Sequence, residues 1–79
     1  MTAPAALDHA LNPAALRAAR ITAGHTLMSA AEGLGRPGSW SVVSRYERGL
    51  TDPPTSVLAA LARLYGVHPG EFFTPLPQT

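Results

Sequence analysis

Residues 43–49 read Val43-Ser44-Arg45-Tyr46-Glu47-Arg48-Gly49, and the parsing of the whole chain turns on this stretch. Just upstream, Ser39 can cap a helix whose body runs from Trp40 to Glu47. At helical spacing Val43 faces inward together with Tyr46 or Glu47, leaving a polar outer side. Gly49 closes this helix. Arg36-Pro37-Gly38 cannot be interior helix, so a turn separates it from the helix before. That earlier helix starts with Thr26 as N-cap and runs through Leu27, Ala30, Ala31 and Leu34, with Gly33 and Gly35 weakening its end. An isolated helix of eight residues is not stable in water. One this short must be clamped by its neighbours, and its exposed side is then free for another task. Ala31, four residues before Gly35, supplies a small residue for a close crossing and a glycine for the turn. Val43 supplies a β-branched apolar anchor for the second helix.

The flanks complete a helical domain. Asn12-Pro13 is a good helix start, since Asn accepts a backbone N–H and Pro at the first position gives up no hydrogen bond. This first helix reaches about Ala23, with Leu16, Ala19 and Arg20 on one side, and Gly24 ends it. After a proline-terminated loop from Leu50 to Pro54, Thr55 or Ser56 opens the most amphipathic stretch, with Val57, Leu58, Leu61, Leu64 and Tyr65 at three- and four-residue spacing. Gly66 ends it. His68-Pro69 starts a last short turn, Gly70 to Phe73, in which His68 reads as an N-cap and Phe72 or Phe73 can lid the core. Residues 1–11 carry no strong pattern; a short helix over Ala5 to Leu11 and a loose arm both fit. No segment reads as a strand. The expectation is an all-α fold of five short helices: an N-terminal arm or short helix over 1–11, the domain over 12–74 and a tail over 75–79.

Bulk properties constrain function mainly by exclusion. The 79 residues suit one domain, and with no cysteine its stability must come from apolar packing. No apolar run approaches the ~20 residues of a membrane span, so a cytoplasmic protein is expected. Net charge is only +1, a weak electrostatic footprint for a nucleic-acid binder. All six cations are arginine, which suits guanine and phosphate recognition, but a lysine-free, Ala- and Pro-rich composition also fits GC-rich coding. Composition alone therefore does not give the function. His9 and His25 read as surface residues, and the three histidines lack ligand spacing, so no metal is expected. No nucleophile–base pair or paired carboxylates stand out, so neither an enzyme nor a cofactor is expected.

The ordered pieces resemble a known family, the helix-turn-helix regulators of the Cro and phage-repressor type (XRE-like, lambda-repressor-like). Leu16-Arg17-Ala18-Ala19-Arg20 followed by Gly24-His25-Thr26 is similar to the family's L-R-x-x-R-x-x-x-G-x-T. Ala31-Glu32-Gly33-Leu34-Gly35 follows, and Val43 to Gly49 resembles its I-S-R-Y-E-R-G. Pro53 lies four residues after Gly49, and Leu61-Ala62-Arg63-Leu64-Tyr65-Gly66-Val67 resembles L-A-x-A-L-G-V. The resemblance runs from Leu16 to Phe73.

It implies a lambda-repressor-like fold with a second helix over about 26–33 and a recognition helix over about 39–47 lying in the major groove. Trp40, Ser41, Ser44 and Arg45 match the base-facing positions, with Ser39 at the helix entrance and Arg45 the best candidate for guanine O6 and N7. Thr26 would approach a phosphate; Arg48 and Thr51 match the segment gripping the backbone beyond the recognition helix. Arg20 and Glu47 match an internal ion pair, a reading preferred over Arg20 as a phosphate clamp. Two residues appear inserted near Arg36-Pro37-Gly38, which tilts the entrance to the recognition helix or projects Arg36 toward the DNA backbone. Leu27 stands where the family commonly has Gln, and Trp40 where it is usually polar. Leu27 packing on Trp40 would replace a polar pair by an apolar one; Trp40 then meets a thymine methyl or sugar edge, or simply covers the core.

The resemblance implies a transcriptional regulator, a repressor of phage, prophage or bacterial origin, bound to a palindromic operator in double-stranded DNA as a homodimer. Its dimer surface is expected around Val67 to Leu76 and the apolar face of residues 5–11. The alternative is a protein-interaction module, an antitoxin or anti-repressor that keeps the fold but contacts a protein partner.

Overall fold

Helix starts in this chain are set by side chains that replace the missing backbone partners of a first turn. The computed structural model describes residues 9–75. Asn12 is extended (φ −106°, ψ 101°), its Oδ1 accepts the Ala14 N–H at 3.1 Å, and Pro13 opens α1, Pro13–Thr22. Thr26 opens α2, Leu27–Gly33, with a reciprocal box. The Ser29 N–H donates to Thr26 Oγ1 at 3.0 Å, and the Thr26 N–H donates to Ser29 Oγ at 2.9 Å. Two further helices, α3 (Trp40–Glu47) and α4 (Thr55–Tyr65), start without any side-chain cap bond. Ser39 does occupy the N-cap position of α3, but its hydroxyl caps nothing, contrary to the sequence expectation.

Helix ends share one device. Past α2, Gly35 takes φ 76°, its N–H donates to Glu32 O, and the Arg36 N–H donates to Ala31 O, both at 2.9 Å. Only a residue without Cβ turns this way cheaply, which is why the chain places glycine there. The same two-bond closure recurs past the other three helices, around Gly24, Gly49 and Gly66.

The core lies where the four helices meet. Leu16 of α1, Leu61 of α4 and Phe72 are the largest side chains with essentially no exposure. Ala30 and Ala31 of α2 are fully buried, and their small size lets α3 lie close and insert Val43 and Tyr46. Phe72 arrives from a 3₁₀ turn, Pro69–Phe72, capped by His68, whose Nδ1 accepts the Gly70 N–H at 3.1 Å. It is Phe72, therefore, that lids the core; Phe73 is half-buried beside it.

The fold is helical as expected, although the described residues hold four α-helices and a 3₁₀ turn rather than five α-helices. Residues expected to be short helix or loose arm instead form β1, His9–Leu11, paired antiparallel with β2, Phe73–Pro75. Leu11 is opposite Phe73 and Ala10 opposite Thr74, and the Asn12 N–H extends the ladder to Phe72 O at 2.7 Å. Strands of three residues carry no readable alternation, so their partners across the fold create them. The rest of the expected N-terminal helix, Ala5 to Asp8, and tail residues 76–79 lie outside the described residues. No helix among the described residues is long and apolar enough to cross a membrane.

Candidate nucleic-acid interface

Between α2 and α3 the chain makes two consecutive turns. The glycine closure at Gly35 is the first. In the second, Pro37 and Gly38 form the corner, Gly38 has φ 86°, and the Ser39 N–H donates to Arg36 O at 3.0 Å. Proline followed by a positive-φ glycine is the type II signature. Residues 36–39 thus form a complete β-turn ahead of α3.

The outward face of α3 follows from its inward one. Val43 and Tyr46 are buried, Val42 is half-buried, and Glu47 is engaged in the ion pair described below. At 3.6 residues per turn, positions 40, 41, 44, 45 and 48 then share an arc of about 140° on the other side. Trp40, Ser41, Arg45 and the C-cap Arg48 are exposed and Ser44 is half-buried. Neither Arg45 nor Arg48 has an ion-pair partner among the described residues, and no acid stands in that arc. Thr51 is exposed in the loop that follows. Arg36 and Ser39 do not stand with this stripe: they line a groove between the turn, α3 and α4.

Thr26 is exposed at the start of α2, with its hydroxyl committed to the cap. Leu27 packs against the core, whereas Trp40 is 48% exposed.

Arg20 fixes how the two helices sit. Its Nε donates to Glu47 Oε2 at 2.7 Å and its Nη2 to Glu47 Oε1 at 3.1 Å, a two-pronged pairing. Its Nη1 donates to His25 O at 2.9 Å. One guanidinium on α1 thereby holds the last residue of α3 and the residue before the α2 cap. The hydrogen bond to Glu47 raises the Arg20 pKa further above its ordinary value, against the opposing effect of burial. Tyr65 is pushed up to about 12 by burial, with Glu47 adding to the rise and Arg20 opposing it.

His25, expected at the surface, belongs to this assembly. It is half-buried, its Nδ1 lies 2.9 Å from Ser29 Oγ, and its ring packs on Tyr65 with centroids 5.8 Å apart. Its sequence signal is slight: a ring one residue ahead of an N-cap, within reach of the third helical position. Among the described residues no group of three or more His, Asp or Glu is placed to hold a metal ion.

Residues 14–72, about three quarters of the chain, match the family model of the helix-turn-helix domain. No curated protein and no solved structure matches the chain. The chain belongs to the helix-turn-helix domain family, a DNA-binding class.

Proposed function

We propose, with that membership as premise, that the protein is a sequence-specific transcriptional regulator of the Cro and phage-repressor type. It lays α3 in the major groove of duplex DNA and acts as a dimer on a palindromic operator, as a repressor of phage, prophage or bacterial origin. The observation that carries this reading is the outward stripe of α3, with two arginines that make no ion pair among the described residues, on a helix whose other side is core. Arg45 reads a guanine edge, Ser41 and Ser44 donate to bases or phosphates, and Arg48, Thr51 and the first turn of α2 grip the backbone. Two copies place their recognition helices about 34 Å apart, one turn of DNA. On this reading the protein works in the bacterial or host cytoplasm, by binding alone and without catalysis or a cofactor.

Selection from random duplex DNA tests the proposal. A recovered palindrome with half-sites one turn apart supports it, and absence of any enrichment sinks it. Exposed Trp40 favours the second reading, a module whose partner is a protein. Salt separates the two: a contact made through arginine and phosphate weakens steeply as salt rises, and one made through an apolar indole does not.

A further inference from the structure

The α2–α3 turn and the first turns of α4 enclose a cavity of about 210 Å³. Its floor is apolar: Ala31, Leu34, Val42, Val43, Val57 and Ala60. An apolar cavity of about 150 Å³ is enough for one benzene, so a single ring fits with room for a substituent. The polar side chains of the lining can all donate hydrogen bonds. Arg36 is exposed and makes no ion pair among the described residues. Ser39 and Ser56 line the same space, and neither hydroxyl closes a helix cap.

Tyr46 is the second, independent observation. The residue is only 5% exposed, yet its hydroxyl has no hydrogen-bond partner among the described residues. Among the described residues no fully buried polar atom is left unpaired, so that hydroxyl is not sealed off, and Tyr46 is one of the residues lining this cavity. The two helices whose N-termini border it, α3 and α4, are also the two α-helices that start without a side-chain cap. The N–H groups of their first turns, which no side chain caps, add positive potential at the same mouth. A second depression, of about 270 Å³ against α1, shows the contrast: Ala15, Ala18, Ala19, Thr22 and Val67 meet a carboxylate, Glu71, and no cation.

We propose that the cavity beneath the α2–α3 turn binds a small aromatic carboxylate, ring against Val42 and Val57 and carboxylate at Arg36 and the serine hydroxyls. The site lies beside the outward stripe of α3 and does not depend on DNA for its own occupancy.

Benzoate is the probe, titrated into methyl-labelled full-length protein and followed by NMR. Saturable shifts confined to the methyls of Val42, Val43, Val57 and Ala60 are expected. Toluene, which lacks the charge, and acetate, which lacks the ring, should each bind about tenfold more weakly or worse, the loss of one charge-assisted contact or of the ring's burial. Arg36→Gln should weaken benzoate about tenfold and leave toluene unchanged. Ala60→Leu, which fills the floor, should abolish both; Ser56→Met at the mouth gives the same test should Ala60→Leu not fold. Shifts that fail to saturate, that centre on Ala18 and Val67, or that survive both Arg36→Gln and the filling variant would overturn the proposal.

Discussion

The two ends of α2 are built on opposite plans. At its start, Thr26 and Ser29 exchange hydrogen bonds, His25 reaches Ser29 and packs at a tilt against Tyr65, and Arg20 ties His25 O to Glu47. At its finish, the path to α3 is held by backbone hydrogen bonds, and the residue at the α3 N-cap contributes no side-chain cap. The contrast teaches where the geometry of the helix pair is decided. The side-chain corner sets the angle between α2 and α3; the backbone corner, with its β-turn at Pro37-Gly38, has only to connect them.

Substitutions can break or sharpen that contrast. The largest effect belongs to Glu47→Ala, which strands the Arg20 guanidinium among half-buried groups. The loss should be about 3 kcal/mol in urea unfolding, and a variant as stable as the parent would remove the clamp from the account. Gly38→Ala strikes the other corner. No atom lies within 4 Å of the added Cβ, so the cost is the φ of 86° alone, about 1 kcal/mol, with the spectrum of the α1–α2 corner unchanged. Thr26→Ala and Ser39→Ala form a matched pair at the two helix starts. The first should lose about 1 kcal/mol with its capping box, the second a few tenths at most because no cap bond exists to lose. Equal losses would erase the distinction between the corners.

Tyr65 gives the smallest effect at neutral pH and the clearest at high pH. Its folded pKa, raised to about 12, lies above the ordinary value of 10.0. The unfolded chain therefore releases this proton first. Its contribution is fully present below pH 10 and is lost as pH rises toward 12. Urea midpoints of the parent should fall over that window, and Tyr65→Phe should fall less; identical slopes would show that Tyr65 ionises as freely when folded as when unfolded.

Most of the scaffold was legible because its signals are local. Asn12-Pro13, Thr26, the glycines behind each helix and His68 act within four residues of themselves, and each stands where the sequence placed it. What escaped depends on distance. The strands exist only as each other's partners. Ser39 looks like any other cap residue, but the Pro37-Gly38 turn delivers it with φ −92° and ψ 34°, outside the extended geometry that Asn12 and Thr26 adopt. His25 looked like surface because Tyr65, forty residues on, supplies the ring it packs against. The pairing of Arg20 with Glu47 was readable only through resemblance, since nothing local joins residues so far apart. Periodicity made the polar outer side of α3 legible and the resemblance named its residues, whereas the groove holding Arg36 and Ser39 needed the position of α4.

The pairing of β1 with β2 has a kinetic side. Joining Leu11 to Phe73 closes a loop of about 60 residues, and the entropy of that closure is repaid by only a short ladder. The strands are therefore late partners in folding, meeting once Leu16 and Leu61 have gathered the helices and Phe72 has docked. In the opposite direction they form a latch that can lift while the helices stay packed, a low-stability opening at the one seam where the first and last described segments meet.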